Sequence, residues 1–197
     1  MKFLAYLSLV LFLFTTSCSS DDDAAIENED PNDNGEEELI FDFESSDRSF
    51  GNAYISLEDN QTGVDFYRLQ IVPPGVTFDS SSGVFSGGST GDYVSFDFKV
   101  PESEAFLSSG DYEINYQASA YTVEGVLYEN VTINLDGADA IPMVLTVPDS
   151  EGINLQIDET SFTISVDAMA MKASASGTED VEVKGVYSSD YEFIDLE

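Results

Sequence analysis

The sequence has no histidine, no tryptophan and one cysteine, and its six basic residues face 39 acidic ones, a formal net charge of −33 over 197 residues. A nucleic-acid partner is not expected, because phosphate backbones are bound by clustered lysine and arginine. Without histidine the chain lacks the commonest general base, the commonest metal ligand and every His-containing catalytic triad. A single cysteine can form neither an intrachain disulfide nor a cysteine-cluster zinc site.

The N-terminus has the pattern of an export signal. Lys2 precedes an apolar run over residues 3–14, which is too short to cross a bilayer as a helix. Small residues follow, then Cys18, and then an acidic patch at residues 21–23. We therefore predict that residues 1–17 are a signal peptide.

Residues 1–23 resemble the start of Bacteroidetes-type surface-exposed lipoproteins. In that group, small residues precede a cysteine that is lipidated and becomes the first residue after cleavage, and the acidic patch directs export. One departure is Thr15, which stands where many lipoboxes have leucine. The resemblance implies lipidation of Cys18, with palmitate as one acyl chain, and an outer-membrane, surface-exposed location. Acyl chains would anchor the protein without spanning the membrane, since each buried CH₂ contributes about 0.8 kcal/mol.

Residues 18–38 have the composition of a linker. They hold ten acidic residues and no basic ones, and Ile26 is their one large aliphatic residue. Such a segment cannot bury enough apolar surface to offset its ordering entropy, so we expect a disordered acidic tether.

Residues 39–197 predict a single all-β domain. Apolar and polar residues alternate with a period of two, which indicates strands with one buried face, in segments 94–100, 112–118, 131–135, 153–157 and 162–168. Further strands are expected at 39–44, 53–58, 64–72, 181–187 and 191–196. We expect an antiparallel β-sandwich of about ten strands, with a β-barrel as the alternative.

Two short segments of this domain also resemble small β-rich lipoproteins of the same group. One is the step into a strand at residues 107–112, and the other is the strand segment 184–187. They support the architecture and assign no activity.

Calcium is the one cofactor for which the sequence offers candidate ligands. Asp59 lies in one predicted loop, and Asp136 and Asp139 lie in another. Loop carboxylates on a β-sandwich can converge on a hard cation. The alternative is that Asp136 and the following glycine form a tight hairpin turn. No other cofactor is expected.

Tyrosines are the candidate ligand-binding residues. An exposed tyrosine offers an apolar ring with a polar tip, which suits a sugar or a protein partner. The candidates are Tyr54, Tyr67, Tyr121, Tyr128 and Tyr187, with Tyr191 beside them. The alternative is that these tyrosines pack on half-buried sheet faces.

The sequence predicts a non-catalytic binding role at the cell surface, for a glycan or a protein, and an accessory role in nutrient uptake is one such function. An adhesin or fimbria-like structural subunit is the alternative, and a strand that leaves the sheet easily, such as 39–44 or 191–196, would favour it. A hydrolase is less favoured, because no carboxylate pair is distinguished among 29 acidic residues of the domain. No catalytic residue is assigned.

Overall fold

The computed structural model describes residues 39–61, 63–133, 141–146 and 152–194, and these contain thirteen strands and no helix. The first seven strands are β1 (Ile40–Asp42), β2 (Ala53–Gln61), β3 (Val64–Ile71), β4 (Val76–Asp79), β5 (Val84–Gly87), β6 (Gly91–Pro101) and β7 (Gly110–Ile114). The other six are β8 (Thr122–Val131), β9 (Met143–Leu145), β10 (Gly152–Ile157), β11 (Ser161–Ser174), β12 (Gly177–Asp190) and β13 (Glu192–Ile194). The predicted signal peptide, Cys18 and the linker lie outside the described residues.

Eleven of these strands form one mixed sheet, which confirms the all-β prediction. The paired strands run in the order β1-β12-β11-β10-β7-β8-β6-β3-β2-β13, with β9 against β11 and β8, while β4 and β5 form a separate hairpin. The ends of the path are β1 and β13, so the sheet is not closed as the barrel alternative requires. No described segment is a helix long and apolar enough to cross a membrane.

The prediction of two purely antiparallel sheets is wrong in one respect: three pairs of neighbouring strands are parallel. These pairs are β1 with β12, β7 with β8, and β13 with β2. Turn residues in the sequence predict hairpins, and a hairpin joins two antiparallel strands. Parallel neighbours are usually distant in the chain, as β1 and β12 are, so no local signal marks their pairing.

A second, smaller cluster joins Tyr54, Val76 and Ile194, but the main hydrophobic core serves both ends of the sheet. Its buried residues include Phe41 on β1 and Ile55 on β2, near the two ends of the strand path, and Phe96 and Ile164 from its middle. Two ends of one sheet can share a core only if the sheet folds over, so the interior has the arrangement of a sandwich. Gly125 on β8 permits close packing there, because a Cβ at this position would lie 2.5 Å from Leu145.

The C-terminal strand links the two ends of the sheet. Only Tyr191 separates β12 from β13. Before it, β12 pairs with β11 and, at Glu182–Lys184, with β1. After it, β13 pairs with Tyr54–Ser56 of β2. An opening remains at the passage from β12 to β13, beside the start of β2.

The strand predicted at 112–118 ends early, at Ile114. The cause is the buried side chain of Lys99 on β6, which is 2% exposed. Its ammonium donates to the carbonyls of Asn115 and Gln117 at 3.2 and 3.0 Å and to the carboxylate of Glu124. These bonds bend residues 115–121 away from the sheet and provide the buried ammonium with acceptors.

Candidate functional site

The cleft lies at the opening beside Tyr191. It has a volume of about 360 Å³, within the roughly 300–1,000 Å³ range of ligand pockets. Its lining residues come from the start of β2 and from the β12–β13 passage: Asn52, Ala53, Tyr54, Ser189, Asp190, Tyr191 and Glu192. The side-chain amide of Asn52 donates to the Tyr54 hydroxyl and to the Val76 carbonyl, which holds the rim in place.

The two carboxylates of the cleft, Asp190 and Glu192, are both exposed. Ionised carboxylates only accept hydrogen bonds, so they suit a ligand that presents hydroxyl or amine donors. Glycoside hydrolysis instead needs one carboxyl held protonated, usually by an apolar pocket. The surroundings of Asp190 and Glu192 do not provide such a pocket.

Aromatic residues beside the cleft form a second feature, which we call the aromatic end: Tyr67, Phe106, Tyr191 and Phe193. Phe106 lies at its centre, with Tyr67 and Phe193 edge-on at 5.2 and 5.6 Å between ring centroids. Tyr191 lies nearly parallel to Phe106 at 6.4 Å. Phe193 is 47% exposed, which is a large apolar surface for a single side chain to leave in water.

Tyr121 borders the aromatic end through the segment that carries Phe106. Its hydroxyl donates to Glu104, two residues before Phe106, at 3.2 Å. Desolvation and this bond raise the pKa of the Tyr121 phenol, so it stays a protonated donor at neutral pH. The backbone of Tyr121 is left-handed (φ 58°), a conformation that costs energy for a bulky residue and is held here by its N–H bond to the Lys99 carbonyl.

Tyr191 connects the aromatic end to the cleft. Its hydroxyl donates to the carbonyl of Asp158 and its N–H to the carbonyl of Thr160, at 2.9 and 3.0 Å. Burial, and then the charges of Asp158 and Glu159, raise the pKa of its phenol. The ring is therefore fixed at both ends, and it forms a rigid wall shared by both features.

The predicted ligand-binding tyrosines do not form one exposed face. Tyr121 is exposed (44%) and borders the aromatic end. Tyr67 is buried and forms the floor under Phe106, and Tyr54 is buried below the cleft, so neither can present a ring to a ligand in this structure. Inward positions of a strand take tyrosine as readily as outward ones, and periodicity alone does not say which face is buried.

Two other predicted tyrosines lie elsewhere. Tyr128 is half-buried against Tyr93, with 5.8 Å between the rings. Tyr187 packs against Phe50 and Phe43 beside the main core. The structure therefore brings neither of them to the cleft.

The predicted metal ligands cannot be compared as a set. Asp59 is exposed on β2, next to a bulge in its pairing with β3. Asp136 and Asp139 lie outside the described residues. Among the residues that are described, no three acidic or cysteine side chains are grouped closely enough to hold a metal ion. Calcium binding stays a prediction.

Sequence reasoning missed Phe106, Phe193 and the cleft carboxylates Asp190 and Glu192. Phe106 lies between two predicted strands, at 94–100 and 112–118, and its role depends on contacts with β3 and β13. Residues 191 and 193 do share one side of a predicted strand, which was the available signal. The ring that Tyr191 packs against, Phe106, lies 85 residues earlier in the chain.

Comparison with known proteins does not assign the site. No family model matches the chain, and no curated protein or solved structure is similar to it. The site must therefore be interpreted from its own geometry.

Proposed function

We propose that this chain is a lipid-anchored protein of the outer-membrane surface whose β domain binds a carbohydrate without catalysis. The observation that carries the proposal is the polar cleft of about 360 Å³ beside the exposed Phe193 ring of the aromatic end. The C–H face of a sugar ring packs on an aromatic ring, and its hydroxyls donate to carboxylates. Phe193 supplies an exposed ring, and Asp190 and Glu192 supply acceptors.

The exposure of both cleft carboxylates supports binding over hydrolysis. A retaining or inverting glycosidase uses a matched pair, one member of which is protonated before the reaction. Asp190 and Glu192 are both open to water. We therefore assign them the role of hydrogen-bond acceptors.

A glycan array tests the proposal. The full chain, purified in mild detergent, is applied with and without calcium, and bound glycans are checked for cleavage products. We expect binding without cleavage, lost in Phe193→Ala and retained in Met171→Ala, which removes a comparably exposed apolar side chain from β11. Binding to no glycan, or equal binding by both variants, would contradict the proposal.

Metabolic labelling tests the anchor. Cells grown with labelled palmitate should incorporate label into the chain, and Cys18→Ala should abolish incorporation. Protease treatment of intact cells should then remove the β domain. Label that persists in Cys18→Ala, or a domain protected in intact cells, would overturn the anchoring or the surface location respectively.

A structural subunit assembled by donor-strand exchange is the second candidate, favoured by the two ends of the sheet. β1 and β13 each pair with one partner over three residues. Such short terminal strands are the ones that another copy could replace. Cross-linking on intact cells distinguishes the candidates, because a subunit gives a ladder of multimers whereas a binding module gives the single chain or a defined complex.

A further inference from the structure

Every basic residue in the described part of the chain is already paired with a carboxylate. The pairs are Arg48 with Glu129 and Asp92, Arg68 with Glu58 and Asp97, Lys99 with Glu124, Lys172 with Glu129, and Lys184 with Glu182. The sequence has one more basic residue, Lys2, in the predicted signal peptide. The β domain therefore has few basic residues, and all five in its described part form ion pairs.

The strongest of these pairs are held by more than one contact. Lys99 is buried and donates to three acceptors. Arg68 donates from two nitrogens to the two oxygens of Asp97, at 2.6 and 2.9 Å. Releasing Lys99 to a ligand would leave two backbone carbonyls and Glu124 without a donor, and releasing Arg68 would remove its two hydrogen bonds to Asp97.

The cleft itself presents only negative charge. Asp190 and Glu192 line it, and none of the five basic residues of the β domain does. A sulfate or carboxylate on a ligand would meet these two charges with no counter-charge, and like charges at an interface are costly. A neutral hydroxyl meets the same carboxylates as a hydrogen-bond donor.

We infer that the carbohydrate bound here is uncharged, and that glycans bearing uronic acids or sulfate esters are rejected. The inference rests on the proposed function and adds the class of ligand. Recognition is by ring stacking on Phe193 and by hydroxyl donors to Asp190 and Glu192. Rejection of the charged classes follows from repulsion by those two carboxylates.

Matched glycan pairs test the inference. The full chain is titrated with dextran and dextran sulfate, with galactan and polygalacturonate, and with chitin and chitosan oligosaccharides, at low and at high salt. We expect binding to at least one neutral member and at least about tenfold weaker binding to its anionic counterpart. Affinity for the neutral member should change less than about twofold with salt, since no ionic contact forms.

The other outcomes separate the two claims. Tighter binding to an anionic member, or to chitosan with affinity lost at high salt, would overturn the inference while carbohydrate binding stands. If the chain binds none of these probes and no glycan on the array, the proposed function is overturned, and the inference fails with it.

A pair of charge reversals locates the effect. Asp190→Lys places a cation in the cleft, and Asp180→Lys makes the same change ten residues earlier on β12, at another exposed position. We expect Asp190→Lys to raise affinity for the anionic member at least about tenfold, and Asp180→Lys to leave it nearly unchanged. Equal gains in both variants would show that overall charge, rather than the cleft, causes the rejection.

Discussion

Two regions of this domain use side chains of opposite kinds at the surface. At the corner formed by Arg48, Asp92, Glu129 and Lys172, cations are drawn in and paired. At the aromatic end and its cleft, rings and carboxylates are left in contact with water. The corner holds two of the five basic residues in the described part of the chain, and none of the five lines the cleft.

The Arg48 corner ties together segments that are far apart in sequence. Arg48 donates to Glu129 at 2.8 Å and lies 3.8 Å above the centre of the Phe41 ring. Asp92 accepts the N–H groups of Ser49 and Asn130. The Nε atom of Arg48 is buried without a hydrogen-bond partner, which offsets part of this stabilisation.

The contrast teaches that charge has a different use in each region. Partly buried ion pairs at the corner hold the loop after β1 against β8 and β11, so their loss should lower the free energy of unfolding. Exposed groups at the aromatic end contribute little to folding, so their loss should change binding instead.

The largest effect on stability is expected at the corner. Arg48→Met should lower the free energy of unfolding by about 3–5 kcal/mol, because it leaves buried Asp92 without its cation and Glu129 with Lys172 alone. Arg68→Met is the control: Arg68 is 36% exposed against 13% for Arg48, and it should cost about 1 kcal/mol or less. Urea unfolding measures both, and equal losses would remove the distinction between buried and exposed pairs.

A smaller loss of stability is expected from substitution of Lys99, whose buried side chain holds the loop at 115–121. Lys99→Met keeps the apolar stem but leaves two carbonyls and Glu124 without a donor, at a cost of about 2–4 kcal/mol. The loop at 115–121 should then exchange its amide hydrogens faster, because the carbonyls of Asn115 and Gln117 lose their donor. Unchanged exchange in that loop would mean that other contacts position it.

Two phenylalanines of the aromatic end should separate stability from binding. Phe106→Ala removes the half-buried central ring and should cost about 2 kcal/mol. Phe193→Ala removes an exposed ring and should cost about 1 kcal/mol or less, yet weaken glycan binding at least as much. Thermal melts and binding titrations on both variants make the comparison. A large loss of stability in Phe193→Ala would place that ring in the core.

The smallest effect is a pH dependence at the corner. Burial opposes ionisation of Glu129, but hydrogen bonds from Lys172 and Arg48 prevail and lower its pKa below the ordinary 4.5. A lowered folded-state pKa gives stability that is fully present above pH 4.5 and lost as the pH falls through the lowered value. The difference in melting temperature between the native chain and Glu129→Gln should therefore be constant near neutrality and shrink in acid. A difference that is independent of pH would exclude this linkage.

Strands with one buried face could be predicted from the sequence because alternation is a local pattern. The prediction for β6 holds along residues 94–100, and that for β11 along residues 162–168. It failed at residues 115–118, where alternation continues but Lys99 captures the backbone. The hairpin β4–β5 and the strand β9 were missed, because each strand is only three or four residues long, and the ten-residue β8 was missed except for its last residue, Val131.

The sequence by itself determined the all-β class, the scarcity of cations and the candidate anchor at Cys18, because these depend on composition, period and one N-terminal pattern. Only the tertiary structure decided which tyrosines are buried, that β1 and β2 pair with successive parts of the C-terminal segment, and that a cleft opens between the start of β2 and the passage from β12 to β13. Such features arise from contacts between residues more than 100 positions apart. No local pattern in a single sequence encodes which distant segments will meet.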